Sequence, residues 1–559
     1  MPTVRIAPGF VRGESLAAIP GRYSRGSLVR WQDGTLTPVG GWERITKSPL
    51  ASPPRWATVY KDQDFERFAG IICDRNVYVE NEGVYKDITP PDWVDADAAQ
   101  GSRGYGSGTY GLANYGKDDE PRGSNPVDPS SDNNRIRTAY PVAFSAEKWG
   151  KGEFLFGHSG DGKVHVWRPK GWDDHDGDGI IDERDPQWVK DGSGNYPAGP
   201  YPNLKHYDTI ICPNAPLFIQ GFIVTDELHL MCLGGTFADD GATEGNVPNR
   251  VSWSDQGNRE GWNFLDVEGQ AGYFDLQDAG LIYCAKKIPG AILIFTQTSV
   301  WICRYIGYPN FYGFQKLAES VAPVSPQAVV VGSNRAFWWG QGRSFWKYEG
   351  GVVAPVPCSL GLDPFEGLDI YNAPKRVTGC YNGNYPEIWW FYPSKGQNGP
   401  VVVNDRYVVY NINDGWWADG YLERSFMIAS PIDNYPLGGN TAGNLFAHEQ
   451  GYMDEGRTRA GYCWVEADLL SFEDGDKVYS VTQLQCDTGG AAKNVTFEFD
   501  TRINRGGPET ATYSYVPRDD GYVDTRFSAR DFTLRVVGQI DGPWAVGGLV
   551  FRAVARGRR

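Results

Sequence analysis

The residues best suited to chemistry lie in one acidic loop, Asp174-His175-Asp176-Gly177-Asp178-Gly179-Ile180-Ile181-Asp182-Glu183-Arg184-Asp185. The pattern D-x-D-x-D-G-x-x-D-x-x-D sets side-chain oxygens at alternate positions, places a glycine where the chain must turn sharply, and returns two further carboxylates. Spacing of this kind suits a hard cation with six to eight oxygen ligands. The ligand set is then Asp174, Asp176, Asp178, the Ile180 carbonyl, Asp182 and Asp185, with Ile181 turned inward, and the ion is calcium. Five carboxylates this close would repel one another without a cation, so the ion would staple the loop rather than catalyse. A solvated acidic loop is the alternative.

The loop closes with Asp where a sensor EF-hand has Glu, and no helix clearly flanks it, so it is more similar to the loops of dockerins and thrombospondin-type repeats. No other group of residues forms a reactive constellation. The six histidines (158, 165, 175, 206, 229, 448) contain no HExxH or similar ligand spacing, and His165 and His229 alternate with strand residues, as structural histidines do. The nine cysteines are scattered and never CxxC, which fits reduced core thiols better than zinc or disulfides. The stretch 252–262, SWSDQGNREGW, resembles a sialidase aspartate box out of register. The glycine loop 104–111, GYGSGTYG, neither follows a buried strand nor opens a helix, so it is no phosphate cradle. No catalytic or cofactor-binding residue is assigned, and the chain is not expected to be an enzyme.

The elements that carry the acidic loop are short strands. Residues 375–424 read as four of them, 377–381, 387–392, 406–410 and 416–421, rich in aromatic and β-branched residues and parted by Asn, Gly, Pro and Asp. A four-stranded meander of this length is a β-propeller blade, which cannot bury both faces alone. Similar units recur at 56–88, 140–167, 221–254, 281–305 and 328–355, with a partial one at 444–454. The expectation is an all-β protein: a β-propeller of about six blades over 51–461, interrupted by insertions at 92–139 and 169–215, the second bearing the calcium-type loop. The first insertion spaces Tyr105, Tyr110 and Tyr115 on glycines, suited to resting on a neighbouring subunit or to remaining mobile. Residues 1–50 are an extended N-terminal arm lying on other parts of an assembly, or else a strand completing the last blade. From 462 the strands lengthen without a blade repeat, which marks 462–559 as a C-terminal β domain, a sandwich or platform.

Composition agrees with many short strands: of 559 residues, 14% are aromatic and 70 are glycine. A net charge of −16 makes the whole chain a poor clamp for nucleic acid, though it suits a wall past which DNA slides. The N-terminus lacks the apolar core of a signal peptide, and no apolar run is long enough to span a membrane.

Motifs spread along the chain resemble the nozzle (tail tube distal) proteins of short-tailed bacteriophages. They are APG at 7–9, GGW at 40–42, the tyrosine-glycine loop at 105–116, NRVSWSD at 249–255 followed by Trp262, and Pro357 with Cys358. EIWWFYPS at 387–394, YVVYN at 407–411, WWADG at 416–420 with Arg424, HEQGY at 448–452 and the ending from Arg530 complete the set. The resemblance implies a structural virion protein, made in the host cytoplasm and assembled into the tail. It would form a homo-hexamer below the tail adaptor protein, with tail fibres as a candidate contact, and would continue the channel for viral DNA in genome retention and ejection. With 69 acidic against 53 basic residues, the ring lumen is expected to be lined mainly by Asp and Glu, with Arg556, Arg558 and Arg559 at subunit contacts or one narrow ring; the alternative is that the acidity only keeps the outer surface soluble. The calcium-type loop is not part of that resemblance. A carbohydrate-binding or polysaccharide-degrading tail protein, or a monomeric host propeller scaffold, stays open as an alternative.

Overall fold

The computed structural model describes residues 3–4, 6–12, 21–90, 93–96, 141–168, 209–235, 247–266, 268–397, 401–472, 476–487, 494–504 and 507–557. Within them, seven antiparallel four-stranded sheets follow one another. The first strands of the seven are Pro54–Lys61, Phe144–Trp149, Gly221–Val224, Ile282–Ile288, Val329–Gly332, Thr378–Asn382 and Phe426–Ile428. Each packs against the next, and the seventh packs back against the first, so the sheets close into a propeller. There is one blade more than the sequence count of about six.

The period of two in each strand sends alternate side chains to the two neighbouring sheets, and here both faces are apolar. In the fourth sheet, Ile292 and Ile294 join Met231, Val251 and Trp253 of the third. The intervening Leu293 and Phe295 meet Trp338 and Tyr348 of the fifth. Glu387–Tyr392 is buried along its whole length for the same reason. Gly70 has no room for a side chain: a Cβ there would lie 2.3 Å from the Phe154 ring of the second sheet.

The seventh sheet takes three strands from Phe426–Ile428, Leu437–Gly439 and Leu445–His448 and its outer strand, Trp42–Arg44, from the far end of the chain. Residues 452–454, read from sequence as part of this unit, form no strand beyond isolated bridges of Asp454 to Trp42 and Arg457. Sequential closure thus gives way to a clasp between the two ends of the propeller.

The C-terminal unit is two packed sheets. One orders Thr3–Val4, Leu549–Gly557, Val478–Cys486 and Tyr522–Ala529; the other orders Ala511–Tyr515, Val495–Arg502, Asp531–Gly538, Trp464–Ser471 and Arg25–Ser27. Phe472, Phe499, Phe527, Phe532 and Phe551 fill the space between them. Each sheet therefore ends in a strand from the N-terminal segment, which is woven into its own chain. After these strands, the hairpin Val29–Gln32/Thr35–Pro38 wedges Trp31 against Phe10, Tyr23 and the sixth-blade Trp416. Arg12 donates to both carboxylate oxygens of Asp419 in the sixth blade at 2.8 Å. The fifth to seventh blades, the sandwich and the N-terminal segment share one hydrophobic core. Among the described residues no helix is long and apolar enough to cross a membrane.

Candidate functional site: the propeller axis

The seven first strands surround a central cavity of about 350 Å³. Its polar lining comes from a few residues set on opposite walls. Lys286 and Lys287 stand near the end of the fourth blade's first strand, inside the apolar stretch IYCAKKIPGAILIF. Lys286 reaches the ring of Trp56 in the first blade, with its ammonium 4.9 Å from the centroid. Lys287 pairs with Glu147 of the second blade at 3.6 Å. From the short turn Pro326–Ala328 that opens the fifth blade, Gln327 donates through Nε2 to the Phe144 carbonyl of the second, at 3.2 Å.

In a ring of seven, blades three apart are as distant as the circle allows. The Lys286–Trp56 and Gln327–Phe144 contacts are therefore ties across the axis, not between neighbours. Glu147 keeps 28% of its side chain exposed to the cavity. The surrounding walls nevertheless desolvate it, and that burial raises its carboxyl above the ordinary value despite Lys287 and Lys286. A cation lying on an indole face while partly desolvated gains about 1–2 kcal/mol. These ties brace the two halves of the propeller and narrow its axis to a small chamber of mixed polar and apolar lining.

His158, His165 and His229 are held in local hydrogen bonds. His165 and Asp161, both fully buried, share a 2.6 Å hydrogen bond. His229 contacts the Ser254 carbonyl through Nδ1 at 2.7 Å. Burial pushes His158 down to about 4, so it stays neutral at physiological pH. The stretch 252–262 is also structural: Asp255 Oδ1 accepts from the backbone N–H groups of Gln270 and Ala271, and Trp262 donates to the Arg259 carbonyl. All nine cysteines are free thiols, eight of them buried.

The calcium-type ligands Asp174, Asp176, Asp178, Ile180, Asp182 and Asp185 lie outside the described residues, as do Tyr105, Tyr110, Tyr115, Arg558 and Arg559. Among the described residues, no three His, Cys, Asp or Glu side chains gather as a metal site. The axial lysines were missed by motif reading, although two adjacent lysines inside an apolar strand are a signal in their own right.

The class these features define is a seven-bladed β-propeller fused to a β-sandwich. No protein-family profile and no curated protein matches the chain. Among solved structures, it is similar to a chain in the crystal structure of a mitotic checkpoint complex, at 11% identity over 72% of this chain and 93% of that one, with a TM-score of 0.35. Chaetomium thermophilum Raptor matches at 8% identity over 73% of this chain and 30% of its own length, with a TM-score of 0.36. A catalytically inactive virginiamycin B lyase from Staphylococcus aureus, crystallised with quinupristin, matches at 8% identity over 72% and 96%, with a TM-score of 0.30.

Proposed function

We propose that this chain is the nozzle subunit of a short-tailed phage, a structural virion protein that forms a hexameric ring below the adaptor. The observation that carries the reading is the ordered series of nozzle-like motifs, from APG at 7–9 to the ending after Arg530. Two physical features support it. One core joins the fifth to seventh blades, the sandwich and the N-terminal segment, as suits a part that must bear load without its domains sliding. Side chains meet across the propeller axis, Lys286 with Trp56 and Gln327 with Phe144, which leaves no bore for a duplex. DNA would thus pass between copies, through the lumen of the ring. Arg556, exposed on the last sandwich strand, is available for a subunit contact.

The test is mass in solution, alone and with the adaptor, by light scattering. The expected particle has six times the 62.0 kDa of one chain. A chain that stays monomeric with its adaptor present overturns the reading, as does consumption or retention of polysaccharide by the isolated protein.

Calcium at 174–185 belongs to the same proposal and rests on the sequence pattern. Calorimetric titration of chelator-stripped protein should show calcium binding that is lost on Asp174→Ala with Asp178→Ala. Heat unchanged by that pair of substitutions would refute the site.

A further inference from the structure

Where the closing strand meets the sandwich, two buried arginines crowd one tryptophan. Trp42 lies opposite His448 in the seventh sheet, their rings 5.9 Å apart. The guanidinium of Arg424 is 4.9 Å from the Trp42 ring and 4.4 Å from that of Phe446; the guanidinium of Arg459 is 4.7 Å from Trp42. The arginines are 3% and 4% exposed. Neither has a carboxylate within ion-pair distance among the described residues, and the carboxylates nearby are already engaged: Asp454 by the Trp42 indole N–H, Glu423 by Thr441, Glu455 by Arg44 and Asp541 by the Arg459 backbone N–H. Arg424 donates through Nε to His448 Nε2 at 2.8 Å, which makes that imidazole a neutral acceptor, and through Nη1 to the Glu423 carbonyl. Arg459 donates through Nη2 to the Val39 carbonyl. Three donors remain buried with no acceptor: Arg424 Nη2, Arg459 Nε and Arg459 Nη1.

An unpaired buried guanidinium is costly, and arginine does not escape by losing its proton. Burial and the neighbouring guanidiniums push His448 well down, so it can supply no countercharge. We propose that this junction holds a small monovalent anion, of the size of chloride, on the three unpartnered guanidinium nitrogens. Its size is limited by close packing: a Cβ at Gly438 would already lie 2.8 Å from His448 Nε2 and 3.3 Å from Arg424 Cδ. The anion would neutralise the clasp that closes the propeller and fasten it to the sandwich. Nothing in this inference depends on the nozzle reading.

The experiment compares thermal unfolding of the full chain in sodium chloride and in sodium gluconate at equal ionic strength, and crystals soaked in sodium bromide. Once the site is filled, Tm should rise by about 1 °C per tenfold increase in chloride, from linkage spread over a chain of this size. Gluconate should not reproduce the rise, and bromide should give an anomalous peak between Arg424 and Arg459. Arg459→Gln should abolish the chloride dependence; if that variant does not fold, the bromide peak in the unaltered protein decides. Equal melting in both salts, or water alone at the junction in bromide, overturns the proposal.

Discussion

A chain beginning at residue 51 should fail to fold into a stable monomeric unit, even though it retains every residue of six propeller sheets. Removing 1–50 takes the outer strand Trp42–Arg44 from the seventh sheet and an edge strand from each sandwich sheet. It also strips Phe10, Tyr23, Trp31 and Leu36, all buried, from the shared core. Fully burying one such side chain contributes about 1.5–3 kcal/mol, and a whole domain is stable by only about 5–15 kcal/mol. Four such losses come to about 6–12 kcal/mol, most of that margin, and three unpaired strand edges add to them. The edges would also be free to pair with other chains. Circular dichroism melts and size-exclusion profiles check this: the truncated chain should aggregate or melt without a cooperative transition. A shorter deletion of residues 1–5, which removes the two-residue strand Thr3–Val4 but leaves Ile6 against the core, should leave a folded protein. A cooperative melt of the 51–559 chain at the full-length Tm would show that the clasp does not hold the fold.

That clasp was only half legible in the sequence, for physical reasons. Blades one, five and six were readable because all four of their strands are rich in aromatic and β-branched residues and are parted by turn-forming residues. Ser344–Glu349 and Val352–Val356, for instance, are parted by a tight turn at Gly350 and Gly351. The seventh blade hid because Phe426–Ile428 and Leu437–Gly439 are three residues each, too short for a period of two to register, while its fourth strand lies nearly four hundred positions upstream. Outer strands were also lost. Gly272–Asp275 is largely exposed and follows a long loop, and Phe311–Glu319 is only partly buried, so neither is strongly apolar. In the sandwich, the sequence carries no strong turn signal where the chain reverses at Arg530 between Tyr522–Ala529 and Asp531–Gly538. The axial ties were invisible to spacing because Lys286 and Trp56 are brought together only by ring closure. Charge pairing over such distances leaves no local pattern, and the most consequential pair of this kind lies beneath the N-terminal hairpin.

Replacing Arg30 with alanine should cost about 3–5 kcal/mol, the usual result of stranding buried carboxylates. Arg30 is fully enclosed, donates to Glu449 at 2.6 Å and to Glu387 at 3.1 Å, and lies 3.6 Å from the centre of the Tyr385 ring. One guanidinium faces two carboxylates, so the cluster is short of positive charge. Burial, reinforced by Glu449 and only partly countered by Arg30, pushes Glu387 up to about 7 from its ordinary 4.5. The sign of the pH dependence follows. A group whose pKa is raised on folding stabilises fully below its unfolded value and loses that contribution as pH climbs through the folded one. The contribution of Glu387 is therefore intact below about 4.5 and fades towards and above 7, with a limiting slope of about 1.4 kcal/mol per pH unit. In Glu387→Gln the slope should vanish, because the amide cannot ionise. In Arg30→Ala the loss should deepen with rising pH, since the cation that favours the ionised form has gone. Glu387→Gln with Glu449→Gln in the Arg30→Ala background should recover part of the stability by removing the stranded charges. Denaturant midpoints at pH 5 and pH 8 for the four proteins measure all of this. A cost below about 1 kcal/mol for Arg30→Ala, the size of an exposed pair, or a slope unchanged by Glu387→Gln, would mean that water reaches the cluster and that the hairpin is held by its apolar residues alone.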